Sequence, residues 1–322
     1  MNLISRVLLG LAAVFVVGAA LAQGKFPDRP LTIVVPFTPG SGTDTAARYY
    51  AEPLSKLLGQ PVIVENRPGA NGKVGIMAVL SKPADGYTLL MASNSPITVN
   101  PLITKDLGYD PFKDLRPISG LSRGMSVYLV PKQSKYQTLN ELLEDSKRSG
   151  RAINMATYSA GQILANAWLA ELSGAKIQNV SYKGQAPIMT DLVAGRLDAA
   201  LLDISGSIPF MKEGTVRALA VTSQKRHFQF PDLTTVGECC FREFVYDTWL
   251  SVYVAGATPD PLVKRLEEAM QQILDTDYAR SYQSKYGAGA LTPLTAVQQG
   301  DYQRSQYETL KGIATRAGIV PK

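Results

Sequence analysis

The sequence predicts an α/β protein of two lobes, with a ligand cleft between them. Short apolar segments rich in β-branched residues alternate with helical segments, and this alternation starts a second time in the middle of the chain. Such alternation is typical of parallel sheets covered by helices. A single core stops growing at about 250–300 residues. Two sets of strands and helices in 322 residues therefore indicate two cores.

The hydrophobic pattern places the elements of each set in order along the chain. In the first set the predicted strands and helices occupy residues 31–37, 43–58, 62–65, 73–81 and 88–92. In the second set they occupy residues 126–130, 138–147, 153–157, 162–172, 177–182, 186–194, 199–203, 216–222 and 249–255. From Pro261 onward the chain is predicted to be helical throughout, over residues 262–274, 278–286 and 296–317.

The closing helices carry no strands of their own, so we expect them to pack on the first lobe. The predicted lobes are residues 23–122 together with 253–322, and residues 123–252. The chain then crosses between the lobes twice, which is typical of a hinge. A cleft between hinged lobes is a common place for a ligand.

Residues 1–22 have the pattern of a secretory signal peptide. Arg6 supplies a positive charge, residues 8–20 are apolar and uncharged, and Ala20-Leu21-Ala22 fits a cleavage site. The apolar run is shorter than the about 20 residues of a membrane-spanning helix. An uncleaved membrane anchor is therefore the less favoured alternative to a signal peptide. We expect an exported, soluble protein that begins at Gln23.

Composition and charge exclude several classes of protein. Apolar residues make up 45% of the chain and charged residues 19%, which excludes intrinsic disorder. The net charge of +6 is spread along the sequence without interleaved aromatic residues, so we expect no nucleic-acid partner. The chain has one histidine, two cysteines and no nucleotide-binding glycine motif, so we expect neither a metal site nor a cofactor.

The two cysteines, Cys239 and Cys240, are adjacent in the sequence. The Cα atoms of neighbouring residues lie about 3.8 Å apart, closer than the about 4.4–6.8 Å of ordinary disulfides. A strained vicinal disulfide is conceivable in an oxidising compartment. We expect two thiols in a loop.

The segment 37–44 predicts an anion-binding turn. It joins the first strand to the first helix, contains Gly40 and Gly42, and ends in polar residues that cap helices. Free N–H groups and the helix dipole attract an anion to such a helix start. The segment lacks the Gly-Lys-Ser/Thr ending of a phosphate loop, so a carboxylate fits better than a nucleotide. An ordinary βα turn is the alternative interpretation.

A second turn of the same kind, residues 156–162, opens a helix of the second lobe. Two donor-rich helix starts that face each other across the cleft would hold the two ends of a diacid. Ligands of open α/β sheets bind at the carboxyl ends of strands. On this ground five further residues are candidate ligand contacts: Ser93, Asn94, Ser95, Tyr182 and Asp203.

One motif suggests a different class of protein. Residues 120–124 read Gly-Leu-Ser-Arg-Gly, the pattern of the nucleophile elbow of serine hydrolases, in which Ser122 and His227 would be the reactive pair. The elbow lies between a strand and a helix, whereas Ser122 precedes a predicted strand and follows Pro117. We interpret the match as accidental and keep a secreted serine hydrolase as a remote alternative.

A set of short motifs extends over nearly the whole chain after residue 22. They are FPDRP at 26–30, VPFTPG at 35–40, VENRPGA at 64–70, DGYTLL at 85–90, YDP at 109–111, YKG at 182–184, RALAVT at 217–222 and GATP at 256–259. In combination these motifs resemble the Bug-type substrate-binding proteins of tripartite tricarboxylate transporters.

This resemblance implies a periplasmic binding protein of the two-lobed Venus-flytrap type (type II-like), with its ligand cleft between the lobes. It implies a protein that is not an enzyme, binds a di- or tricarboxylate, and delivers it to the membrane subunits of the transporter. Aromatic dicarboxylates such as terephthalate are among the ligands of the family. We expect a monomer. A periplasmic protein that senses the same ligand for a membrane kinase is the alternative function.

The family's way of holding carboxylates carries over to this sequence by position, through backbone amides and hydroxyls of the two turns. One carboxylate would contact Thr38, Ser41, Gly42, Thr43 and Asp44. The other end of the ligand would contact Ser159, Ala160 and Gly161, and Asp203 would accept from a polar group or a water. The sequence departs from the family at Ser41, at the aromatic Tyr158 and over residues 239–244, which leaves the identity of the ligand open.

Overall fold

The structure, a computed structural model, describes residues 26–287 and 290–321. The predicted signal segment, residues 1–22, lies outside these residues. In the described part of the chain, no helix is both long and apolar enough to span a membrane. The described strands form one hydrogen-bonded network that has two halves.

The first half of the sheet is built around three parallel strands, with β1 in the middle. They are β1 (Leu31–Val35), β2 (Val62–Asn66) and β3 (Thr88–Ser93). Four of the five residues of β1 are buried, as expected for an apolar strand with a parallel partner on each side. The helices that accompany these strands are α1 (Gly42–Leu58), α2 (Lys73–Leu80) and α3 (Asn100–Ile103).

A single long strand, β4 (Leu115–Pro131), joins the two halves. The prediction found only its second part, residues 126–130. Pro117 and Gly120 in the first part argue against a strand, because proline lacks an N–H group and glycine weakens a strand. The structure accommodates both residues at irregularities in the pairing of β4 with its neighbour.

The second half contains four strands besides the end of β4. Parallel β5 (Ile153–Thr157) lies between β6 (Ile177–Ser181) and β7 (Ala199–Asp203), while β7 and β8 (Val216–Val221) run antiparallel to β4. The helices here are α4 (Leu139–Ser149), α5 (Ala160–Ser173), α6 (Gln185–Val193), α7 (Ile204–Lys212) and α8 (Val236–Cys239). Helix α7 was not predicted, because it contains Gly206 and Pro209.

The chain returns to the first half at β9 (Asp247–Ala255), which pairs with β3 and with β4. The elements that follow are α9 (Asp260–Leu274), α10 (Asp277–Tyr286), β10 (Ala290–Leu294) and α11 (Ala296–Arg316). Helix α9 packs on the first half, where its Leu266 and Met270 share a buried cluster with Leu31 of β1. The end of α11 departs from the expectation, because its Leu310 and Ile313 share a buried cluster with Trp168 of α5 in the second half.

The prediction that the chain is helical from Pro261 onward is wrong at β10. This strand pairs antiparallel with the first part of β4. Its sequence, Ala-Leu-Thr-Pro-Leu, contains a proline, and none of its described residues is fully buried. A short, half-exposed edge strand with a proline leaves little hydrophobic signal in the sequence.

The strand pairing also shows where the chain changes halves. In β4 the partners change between Met125 and Ser126, and β9 belongs to the first half over its whole length, from Asp247. The division into two lobes stays a proposal. Placed on these pairings, its boundaries lie near residues 125 and 247, whereas the sequence suggested 122 and 252, because residues 247–252 pair with the first half.

The expectation of two free thiols differs from the structure. Cys239 and Cys240 form a vicinal disulfide, with Cα atoms 3.8 Å apart. Cys239 is the last residue of α8, and Cys240 leaves the helix with φ of −142° and ψ of −60°. The end of the helix therefore falls between the two residues, and both are packed against the buried cluster of the second half.

Candidate functional site

The first candidate turn forms the start of α1. Ser41 is the residue before the helix, and its hydroxyl oxygen accepts a hydrogen bond from the N–H of Asp44 at 3.2 Å. Gly40 adopts φ of 83°, a left-handed conformation that favours glycine. Gly42 and Thr43 are buried in the first turn of the helix. The N–H groups at this helix start therefore lie in a buried, positively polarised place.

Asp44 holds this turn in shape. Its carboxylate accepts from the N–H of Gly40 at 2.9 Å, from the amide of Asn66 at 2.8 Å and from Arg48 at 3.1 Å. The side chain is almost fully buried, while that of Arg48 is about half exposed. All of these partners belong to the first half, so the carboxylate stabilises the loop from within. Direct contact between Asp44 and a ligand stays a prediction.

The second candidate turn forms the start of α5. The hydroxyl oxygen of Ser159 accepts from the N–H of Gln162, and the Gln162 side chain accepts from the N–H of Tyr158 at 2.8 Å. The N–H of Gly161 donates to the hydroxyl of Ser95 at 3.0 Å. Because Ser95 follows β3, this hydrogen bond joins the two halves of the sheet. A side-chain oxygen of one half thus binds the helix start of the other.

Asp203 makes the reciprocal contact. It ends β7, in the second half, and its carboxylate lies against Gly42 at the start of α1, where an added Cβ atom would be 3.2 Å from Oδ2. The hydroxyl of Tyr158 donates to this carboxylate. Burial raises the pKa of the Asp203 carboxyl group, while the hydrogen bond from Tyr158 acts in the opposite direction. The two helix starts therefore face each other across the junction of the halves.

Two small cavities lie along this junction, with volumes of about 40 and about 20 Å³. Each holds at most a few water molecules, so neither has room for a diacid in this arrangement of the halves. The described residues around the smaller cavity are mostly polar, and none of them is basic. They are Phe37, Thr43, Ser93, Asn94, Ser95, Ser126, Tyr158, Ser159, Gln162, Asp203, Tyr246 and Thr248.

Comparison with known proteins gives a family for this architecture. The sequence profile of the tripartite tricarboxylate transporter family receptor, TctC, matches residues 46–310. The chain belongs to this family. This chain is 31% identical to the protein BugT of Bordetella pertussis over 320 residues, which cover 97% of each protein. This confirms the resemblance to Bug-type receptors.

Two solved structures share the fold of this TctC receptor. The periplasmic binding protein BugD is 29% identical with a TM-score of 0.86, covering 92% of this chain and 100% of BugD. Rpa4515 of R. palustris, solved with adipate, is 28% identical with a TM-score of 0.87, covering 92% of this chain and 100% of its own. The predicted fold class, a periplasmic binding protein of mixed α/β structure, is confirmed.

The structure brings most of the predicted site residues of the TctC receptor together, but not all. Gly42, Ser93, Asn94, Tyr158 and others line the cavities, and Ser41, Ala160 and Gly161 lie in the two helix starts. Tyr182 lies away from the cavities, where its hydroxyl donates to Asp191 at 2.7 Å. The hydroxyl oxygen of Thr38 is buried without a hydrogen-bond partner among the described residues, and this side chain lies against Gly184.

Sequence reasoning did not select Tyr246 as a site residue. Tyr246 lies just before β9, and its hydroxyl accepts from the amide of Asn94 at 2.9 Å. Ser95 was a candidate together with Ser93 and Asn94 by the rule of strand ends, and it lines the smaller cavity. Tyr246 precedes a strand, and no local motif marks it. It reaches the cavity only because the chain crosses between the halves there.

The serine-hydrolase pattern does not form a nucleophile elbow. Ser122 lies within strand β4, with no helix after it. His227 has both ring nitrogens engaged elsewhere: Nε2 lies 2.8 Å from the carbonyl oxygen of Gly287, and Nδ1 accepts from the N–H of Gln229 at 3.2 Å. These contacts join the second half to the end of α10, and they require a neutral imidazole.

His227 predicts a pH dependence of stability. Burial lowers the pKa of its imidazole, and the charge of Lys212 acts in the same direction. A lowered folded pKa means that the unfolded chain binds the proton more tightly, so stability falls as the pH drops below about 6.5. We expect this loss as the pH falls below about 6.5 when wild type is compared with His227→Gln by urea denaturation. If the difference in unfolding free energy between wild type and His227→Gln does not change with pH, the imidazole of His227 is not held neutral by the fold.

Proposed function

We propose that this TctC receptor captures an organic carboxylate in the cleft between its two halves and delivers it, chemically unchanged, to the membrane subunits of a tripartite tricarboxylate transporter. The observation that supports the proposal is the pair of helix starts, of α1 and α5, which face each other across the junction. Each presents backbone N–H groups and hydroxyl groups at the positive end of a helix dipole.

The chemistry of the lining favours a carboxylate over a phosphate ester. Among the described residues around the two cavities there is neither lysine nor arginine, and the donors are hydroxyl, amide and main-chain N–H groups. Such donors neutralise one or two carboxylates, whereas nucleotide phosphates are ordinarily met by a lysine or arginine as well. The relative that was solved with adipate supports a di- or tricarboxylate as the ligand class.

Two aromatic rings extend the proposal to aromatic diacids such as terephthalate. Phe37 and Tyr158 both border the smaller cavity. They meet edge to face, with ring centroids 5.6 Å apart. When the halves separate, these rings offer apolar walls on both sides of the entrance, to which a flat ring adds favourable contact. Aliphatic and aromatic diacids of similar length therefore belong in the same binding panel.

The proposal is tested by isothermal titration calorimetry and thermal unfolding against a panel of acids. The panel contains succinate, adipate, citrate, terephthalate, glutamate and nicotinate, with adipamide as the uncharged control for adipate. We expect at least one acid to bind and adipamide to remain silent. Ligand at 100 times its Kd stabilises a protein by about 2.7 kcal/mol, which a thermal scan detects readily. Absence of heat and of thermal shift across the panel would contradict the proposal.

We also propose that the protein acts in the periplasm after removal of residues 1–22. The support is the sequence pattern of Arg6, the apolar run and Ala20-Leu21-Ala22. Mass spectrometry of the protein from a periplasmic extract is expected to find Gln23 at the amino terminus. A protein that retains Met1 and fractionates with the membrane would contradict it.

A further inference from the structure

The vicinal disulfide stands at the beginning of a segment that leads to the junction between the halves. This disulfide segment, residues 239–246, begins at the end of α8 and stops where β9 begins. Cys239 and Cys240 are half-buried, and Arg242 and Glu243 beside them are exposed. The two sulfur atoms therefore lie close to the surface of the second half, within reach of a reagent in solution.

The disulfide segment is packed closely against the second half. The N–H groups of Cys240 and Phe241 both donate to the carbonyl oxygen of Val236, at 3.1 and 3.0 Å. The ring of Phe244 is fully buried and stacks on that of Trp168 in α5, with ring centroids 4.6 Å apart. Because these groups are close-packed, a displacement at the disulfide moves its neighbours as well.

The segment ends at two groups of the candidate site. Tyr246 is buried, and its hydroxyl oxygen accepts from the amide of Asn94, in the first half, at 2.9 Å. The same oxygen lies against Gly161 at the start of α5, where an added Cβ atom would clash with it. The position of Tyr246 therefore affects both the contact between the halves and one of the two helix starts.

The bond between the sulfur atoms constrains the end of α8. It closes a small ring through the peptide bond between Cys239 and Cys240, at the place where the helix stops. Two sulfur atoms that are no longer bonded need more room, so at least one of the side chains has to rotate. Both cysteines are packed against the buried cluster that contains Trp168, Phe244 and Tyr246, so such a rotation disturbs that cluster.

We propose that Cys239 and Cys240 form a redox-active site at which reduction by a dithiol lowers the affinity of the protein for its carboxylate. A thiolate of the dithiol attacks one sulfur atom of the pair, the disulfide bond breaks, and a mixed disulfide forms. The second thiolate of the dithiol then displaces the cysteine. Two electrons and two protons thus pass to the two cysteines, and the dithiol becomes a disulfide.

This inference rests on the proposed function and adds a means of regulation to it. Reduction releases the end of α8, and the displaced segment moves the Tyr246 hydroxyl away from Asn94 and Gly161. The disulfide form is therefore the form that binds the carboxylate tightly. The chain has no other cysteine, so a dithiol has no second disulfide to act on.

The first test is calorimetry of the six acids of the panel with oxidised protein and with protein reduced by dithiothreitol. We expect an acid that binds the oxidised protein to show a Kd about fivefold or more higher after reduction, the lower end of usual coupling between two sites. Reoxidation should restore the first value, and mass spectrometry after alkylation shows whether both thiols have formed. Equal Kd values in the two forms, or a disulfide that dithiothreitol leaves intact, would overturn the inference.

The double variant Cys239→Ser, Cys240→Ser is the matched control for the reductant. It should bind with the Kd of reduced wild type and should not respond to dithiothreitol. Tyr246→Phe keeps the ring and removes the hydroxyl, so reduction should change its Kd by less than about twofold. An effect of dithiothreitol that remains in the double variant, or that remains in full in Tyr246→Phe, would overturn the inference.

Hydrogen exchange of the protein without any acid separates this inference from the proposed function. Reduction should speed the exchange of backbone amides in the disulfide segment and in the first turn of α5, measured by mass spectrometry. Unchanged exchange at the start of α5 would overturn the inference even if acids bind. Failure of all six acids to bind would overturn the proposed function, whereas faster exchange at both places would still support the redox-active site.

Discussion

Replacing Gly184 by alanine is expected to raise the Kd of the ligand by about 5- to 150-fold, because the added methyl group keeps the halves apart. A Cβ atom on Gly184 would lie 1.8 Å from the Thr38 hydroxyl oxygen and 2.8 Å from its Cβ. Thr38 follows β1 in the first half and Gly184 follows β6 in the second. Overpacking of this kind costs about 1–3 kcal/mol, which corresponds to the stated range of Kd.

The backbone at Gly184 allows this substitution without strain, since φ is 176° and any residue adopts that conformation. We therefore expect binding to change far more than folding. The control Gly300→Ala lies in α11, and its Cβ meets nothing within 4 Å. It should bind like wild type. Wild-type affinity in Gly184→Ala would show that the halves do not close on each other at this contact.

Replacing Asp44 by alanine is expected to lower the free energy of unfolding by about 2–3 kcal/mol and to weaken binding. The substitution removes the acceptor for the N–H of Gly40, the amide of Asn66 and the guanidinium of Arg48 at once. Asp44 is 3% exposed, so water replaces these partners poorly. Without them, the first turn of α1 no longer holds its N–H groups in a fixed direction.

Asp44→Asn is the matched control, since it keeps the shape and one acceptor oxygen and loses the charge. It should lose about half as much stability as Asp44→Ala in urea denaturation, because a neutral acceptor still satisfies one of the buried donors. Calorimetry with the same acid should rank affinity as wild type, Asp44→Asn, Asp44→Ala. Unchanged stability and affinity in Asp44→Ala would mean that the carboxylate does not hold the turn.

The elements that sequence alone predicted best are those whose burial and periodicity agree. Apart from Thr32 and Asp203, β1 and β7 consist of buried apolar residues, and their limits fall close to the predicted ones. The pattern failed where a breaker residue is tolerated by tertiary packing, as in α7 with Pro209 and in the first part of β4 with Pro117. Secondary-structure propensity reflects only neighbouring residues in the sequence, whereas these segments are stabilised by packing against residues that are distant in the sequence.

The candidate site also combines features that the local sequence predicts with features that depend on distant parts of the chain. The helix starts carry local signals, namely polar capping residues after a strand, and both helices form close to the predicted places. The capping residues are Ser41 and Ser159, so the helices begin one or two residues earlier than predicted. The partners that come from the opposite half were not accessible to the same reasoning. The contacts of Ser95 with Gly161 and of Asp203 with Gly42 depend on how the halves face each other, which no spacing in the sequence reports.

The most direct measurement is a crystal structure of the protein with the acid that binds it most tightly. The account predicts the acid between the two halves, with its carboxylate oxygens within about 3 Å of main-chain N–H and hydroxyl groups at the starts of α1 and α5. An acid bound outside this junction, or one whose carboxylates are held mainly by lysine or arginine side chains, would contradict it.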